Sequence, residues 1–321
     1  MFKAETPVYA DVPPQSAEQG GVRLREDVLY ANHKGQRKDR LKRGKQKLAR
    51  NILGALPRFL KADESVLYIA RMQSPASLAD TMTFGVYLPA VTGAIVVFTN
   101  RRILQLRVGV FDAWKKSIWA CEYSDLIEAT TKGWLQKSLR LQFKDGSSSK
   151  YWSVRRADAK VLKGLLPKLL EANVGMAGPS GKMVPFCPEC AAALTMGEYQ
   201  CAGCGLIFKN ETTAKWLAFI PGAAYFYCRR WGLGLLDLYA EGYLLLLGIV
   251  VISSLARSLS AKKQAIHTAD LAAVMVPLLF LLILDITITI YHCRRFVRDY
   301  IPTGKKAPMQ EAKTTATSSS W

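Results

Sequence analysis

Histidine is nearly absent. The 321 residues include three, His33, His267 and His292, and none lies in an H-E-x-x-H pattern. No sequence of the nucleophile-elbow type is present either. Gly178–Lys182 comes nearest to a phosphate loop, but Met176 stands where its first glycine belongs and Met183 follows Lys182. An enzyme is therefore not expected. The N-terminus, Met1-Phe2-Lys3-Ala4-Glu5-Thr6, lacks the apolar core of a secretory signal. The seven cysteines are odd in number, and Cys121, Cys228 and Cys293 are scattered singly, which argues against a disulfide framework. Acidic charge is also scarce: 25 Asp and Glu face 44 Lys and Arg, a net charge of +19.

That excess needs an anionic partner, either nucleic acid or a membrane surface. Half of the residues are hydrophobic, and the long apolar runs are confined to the last third, so the membrane accounts for both features. Residues 1–33, with Pro13, Pro14, Gly20 and Gly21, read as a disordered lead-in. Residues 34–54 read as a basic amphipathic helix. Lys38, Arg40, Lys42, Arg43, Lys45 and Lys47 are its candidate contacts to an anionic surface, and Leu41, Leu48 and Ile52 recur at helical intervals. The helix would dock on acidic headgroups or RNA, or pack on the next domain as a solvated face. The basic run contains no aromatic residue of the kind base stacking favours.

From Glu64 the pattern becomes β. Segments 65–71, 93–100, 102–108, 117–122, 126–131, 138–144 and 150–155 are rich in branched and aromatic residues, and Asp145-Gly146 supplies a hairpin turn. Residues 157–173 read as one closing helix despite Pro167. Seven strands and a helix suggest a small barrel plugged at one end. Phe98-Thr99-Asn100-Arg101-Arg102-Ile103-Leu104 resembles a strand–turn–strand signature of bacterial pleckstrin-homology-like domains, which are related in shape to GRAM domains. The resemblance implies a PH-like β-barrel with a C-terminal helix over 55–173. It also implies a scaffolding role more than lipid binding, because Gln73–Val86, in the place of the first loop, has no basic residue.

After a Gly/Pro/Ser linker at 174–185 come Cys187-Pro-Glu-Cys190 and Cys201-Ala-Gly-Cys204, two Cys-x-x-Cys pairs separated by ten residues. Four thiolates suit a tetrahedral metal and leave no open coordination position, so the site is read as structural Zn²⁺. A rubredoxin-like iron site and a thiol switch use similar ligands. The run Cys201–Gly205 resembles the second knuckle of a zinc ribbon, over 186–212.

Residues 213–230, with Pro221-Gly222 in their middle, read as an interfacial or half-inserted helix. Residues 231–295 read as a transmembrane hairpin with spans at about 234–256 and 271–293. Pro221-Gly222, Tyr227, Arg230 and Gly234 resemble a "PG-x-x-x-x-Y-x-x-R-x-x-x-G" motif of small bacterial membrane modules with paired helices. Residues 296–321 form a basic, then disordered tail. Cations before the first span (Lys209, Lys215, Arg229, Arg230) and after the last (Arg294, Arg295, Arg298, Lys305, Lys306) place both termini in the cytoplasm of a bacterial inner membrane. Asp285 is the one charged residue within the second span.

The chain is thus expected to be a multidomain α+β membrane protein, a non-enzymatic adaptor for a protein partner or lipid headgroups. Two alternatives stay open. One is a nucleic-acid-binding membrane protein using the basic arm and the ribbon; the other is a transporter or channel subunit using Asp285.

Overall fold

The computed structural model describes residues 16–19, 21–109, 111–134, 136–173, 182–260 and 268–306. They fall into two compact units, one reaching to Ile207 and taking in the return at 304–306, the other spanning Phe208–Thr303.

The first unit is built on a ten-stranded sheet. Its strands are β1 (Ser16–Gln19), β2 (Val22–Arg25), β3 (Ser65–Gln73), β4 (Gly93–Thr99) and β5 (Arg102–Val108), then β6 (Trp114–Glu122), β7 (Leu126–Lys132), β8 (Lys137–Phe143), β9 (Ser148–Val154) and β10 (Val184–Phe186). The pairing order is β10-β6-β5-β4-β3-β9-β8-β7, with β2 joined parallel to β3 and β1 antiparallel to β2. The expected barrel is not formed. Closure would require the free edge of β6 to meet β7, and β10 occupies that edge through Val184↔Ala120 and Phe186↔Ile118. The sheet is open, with β7 and β10 at its two ends.

β4 explains why one layer could not suffice. Every residue of Gly93–Thr99 is buried, so both faces of the pleat are covered. Val96 and Phe98 join a core with Leu162, Leu165 and Leu166 of α5 (Arg156–Ala172). Ile95 and Val97 join a second core, with Leu48 and Ala49 of α2 (Asp39–Arg50) and with Ile52, Leu56 and Phe59. The expectation of disorder to residue 33 therefore fails over its later part. Val22 and Leu24 of β2 and Leu29 of α1 (Glu26–Leu29) are fully buried in this second core. Residues 1–15, most of the linker at 174–185 and the tail beyond 306 lie outside the described residues.

The segment in the place of the first loop is helical, with α3 (Leu78–Phe84) and α4 (Leu88–Thr92). Ser77 and Asp80 form a capping box that starts α3. Short strands β11 (Leu206–Phe208) and β12 (Pro302–Lys306) also form.

The second unit is helical: α6 (Glu211–Leu217), α7 (Ala223–Tyr227), α8 (Trp231–Ser260) and α9 (Thr268–Val297). Within α8 and α9, Trp231–Ser254 and Ala273–Val297 are long and apolar enough to cross a membrane. Only 11% and 6% of their most apolar windows are covered by protein, so neither behaves as the core helix of a soluble domain. The remainder faces outward as Leu, Ile, Val and Phe, a surface suited to lipid.

Candidate functional site

β10 leads directly into Cys187. The two cysteine knuckles then repeat one backbone pattern. The Cys187 N–H donates to Ala192 O (2.9 Å) and the Ala191 N–H returns to Cys187 O (3.0 Å). In the second knuckle the Cys201 N–H donates to Leu206 O (2.9 Å) and the Gly205 N–H to Cys201 O (2.9 Å). The residue after the second cysteine of each pair takes the left-handed conformation, Ala191 at φ 57° and Gly205 at φ 70°. The folded knuckles turn all four sulfurs inward, with Cys187–Cys204 and Cys190–Cys201 each at 3.5 Å. All four sulfurs lie within 4.8 Å of one another. Metal–sulfur bonds of about 2.3 Å in a tetrahedron place sulfurs roughly 3.8 Å apart, so the cluster can chelate a metal ion. A Cβ on Gly203 would sit 3.4 Å from Cys190 Sγ, so the glycine lets the loop pass close to the sulfurs. Cys187 is fully buried, and that burial pushes its thiol well above the usual range. A bound cation would hold it as the thiolate instead. Lys306 pairs with Glu189 inside the first knuckle at 2.6 Å.

The basic helix divides by burial. Lys38, Arg40, Lys42, Arg43 and Lys47 are exposed. Lys45 is not available to an anionic surface. It is buried against Asp158 at 2.8 Å, donates also to Ile69 O, and lies over the Tyr68 ring at 3.8 Å. Tyr68 OH donates to the same Asp158 oxygen at 2.7 Å.

The Thr-Asn-Arg-Arg turn is equally structural. Arg102 is buried and grips both oxygens of Glu64 (3.0 and 2.9 Å), donating also to Phe59 O. Asn100 Oδ1 accepts the Ser65 N–H at 2.9 Å, and Arg101 pairs with Asp63.

In the second unit, Asp285 of α9 does not stand alone. Its carboxylate lies with those of Asp237 and Glu241 of α8, oxygens within 4.8 Å of one another. Asp237 Oδ2 accepts the Gly222 N–H (3.1 Å), and its Oδ1 accepts the Thr289 hydroxyl (3.1 Å). Thr289 in turn approaches Tyr225 OH at 3.5 Å, and Tyr225 OH meets His292 Nδ1 at 2.6 Å. The clustering was readable in part: positions 237 and 241 are one helical turn apart and share a face. Only the pairing of α8 with α9 adds Asp285.

The PG motif builds the support for this cluster. Gly222 is left-handed (φ 71°), and a Cβ there would lie 2.5 Å from Gly234 O. Gly234 packs on the Phe226 ring, leaving no room for a side chain. Tyr227 OH accepts the Asn210 N–H (3.0 Å). Arg230 is buried between Asp299 (3.5 Å) and the Phe296 ring (4.4 Å). Lys209 is buried near these groups, and desolvation lowers its amine to about 8. The Cys228 thiol is held below its ordinary value, first by its hydrogen bond with Cys293 and then by the charge of Lys209. Arg230 and Lys209 therefore spend their charge inside the protein rather than on headgroups.

These features define a membrane-associated protein with a structural metal-binding motif. Comparison with known protein families, with curated proteins and with solved structures finds no match to the chain.

Proposed function

We propose that the chain is a non-enzymatic adaptor anchored in a bacterial inner membrane. Its open sheet and zinc-ribbon-like clasp would be presented on the cytoplasmic face to a protein partner, with α2 resting on anionic headgroups. The observation that carries this reading is the division of α2. Lys45, Leu48 and Ala49 bind the helix to the sheet, while Lys38, Arg40, Lys42, Arg43 and Lys47 are exposed, Lys42 lying over the Tyr30 ring. A fixed cationic face on a chain with two membrane-length helices suits an anionic leaflet, where each basic residue near the surface contributes about 1 kcal/mol. The closed four-sulfur shell favours zinc as a structural clasp, and a reducing compartment keeps its thiolates available.

The test is lysine acetylation read by mass spectrometry on the full chain in nanodiscs. Lys38, Lys42 and Lys47 should be protected in anionic discs and become reactive in zwitterionic ones or in high salt. Equal labelling in both lipids would remove the headgroup role. Substrate turnover by the purified protein would remove the adaptor reading altogether.

A further inference from the structure

Asp237 and Glu241 project from one face of α8, and Asp285 reaches them from α9. We infer that the three carboxylates form a second metal site, inside the helical hairpin, for a hard divalent cation of the Mg²⁺ and Mn²⁺ class. Asp237 is anchored by the Gly222 N–H and the Thr289 hydroxyl, each at 3.1 Å, so its carboxylate is held in place before any ligand arrives. Glu241 supplies the separate observation. The residue is 2% exposed, its side chain points at the other two carboxylates, and no protein donor outside the cluster reaches its Oε2. A buried acceptor left unsatisfied costs free energy, more when it is charged. Asp285 Oδ2 is in the same state. Among the described residues no cationic side chain forms an ion pair with any of the three.

Charge then decides what belongs there. Two unit charges about 4 Å apart interact by about 4 kcal/mol near a protein surface, and three carboxylates repel pairwise. A dication among them turns that repulsion into attraction. The donors are all oxygens, which select hard cations and disfavour the soft metals that thiolates hold. The site is thus chemically orthogonal to the cysteine clasp, and it stands whether or not the adaptor function does.

The test uses the full chain, zinc-loaded, in detergent. Mn²⁺ is titrated in and free Mn²⁺ is followed by electron paramagnetic resonance. One Mn²⁺ per chain should bind with the zinc content unchanged. Glu241→Gln and Asp285→Asn should each weaken uptake by more than the roughly 10–100-fold that loss of an outer-shell partner costs. Thr289→Val keeps all three carboxylates and removes only the hydroxyl that positions Asp237, so a loss within that range is expected. Absence of Mn²⁺ uptake by the unaltered protein between pH 7 and 9 would overturn the site, the carboxylates then being satisfied by protons alone. Uptake of equal affinity in all three variants would overturn it as well.

Discussion

Lys45 and Lys209 belong to the same abundant residue type, and neither differs in sequence from the solvated lysines around it. Lys45 is buried with a carboxylate, a tyrosine hydroxyl and a carbonyl about it, whereas Lys209 Nζ has no hydrogen-bond partner. This asymmetry has a measurable consequence. Folding lowers the Lys209 amine from 10.5 to about 8, so between those values the unfolded chain holds a proton that the folded one has released. Stability therefore rises with pH across that window, and below pH 8 the folded state carries the full cost of a buried ammonium. Lys209→Met should be more stable than the parent at pH 7, by up to about 3 kcal/mol. The advantage should shrink as pH rises from 8 towards 10.5. Thermal unfolding of both proteins in detergent at pH 7 and 9.5 measures it, and a gap that does not change with pH would refute the assignment. The sequence marks Lys209 only as a cation flanking the first span, because burial is a property of neighbours such as Asp299, Cys228 and Arg230 that the local sequence does not reveal.

At the scale of elements, local signals were easiest to read. The strands from β3 to β9 were legible because branched and aromatic residues fill them, and Asp145-Gly146 turns with Gly146 at φ 80°. α3 was not legible, since Leu78 and Met82 are largely exposed and Phe84 is the one apolar residue that its short segment buries. Barrel closure was illegible for another reason: strand β10, more than fifty residues after β7, decides which edge is filled. The run of apolar residues in β4 was the missed hint, because a strand of a plugged barrel alternates and this one does not. The cysteine knuckles carry the sharpest element-level prediction. Gly205 holds its left-handed conformation without strain, but Ala191 adopts the same φ region with a Cβ, at roughly 1–2 kcal/mol. Ala191→Gly should raise the chelator concentration needed to strip the metal, and Gly205→Ala should lower it. Zinc release followed with a colorimetric indicator reads both. Two unchanged midpoints would mean that the paired turns do not shape the site.

For the molecule as a whole, the decisive constraint is how many times the chain crosses the bilayer. Glu211, before the first long helix, lies 3.5 Å from Arg294 and 3.7 Å from Arg298, both at the end of the second. Arg230 and Asp299 repeat the connection at 3.5 Å. The entry to α8 and the exit from α9 therefore lie together, an arrangement that fits the expected even number of crossings. The segment 213–230 cannot add a third span, because α6 and α7 are seven and five residues long and break at Pro221-Gly222, whereas crossing takes about 20 residues. On the proposed reading, the cations flanking the hairpin would put that end of it in the cytoplasm. Green fluorescent protein joined after Lys306 should fluoresce. Alkaline phosphatase inserted between the two long helices, at Gln264, should be active, and the same enzyme after Lys306 should not. The reverse pattern would invert the hairpin and strand the cysteine clasp in an oxidising compartment. Phosphatase activity at both positions would imply an odd number of crossings, and the Glu211–Arg294 and Arg230–Asp299 pairs could then not exist.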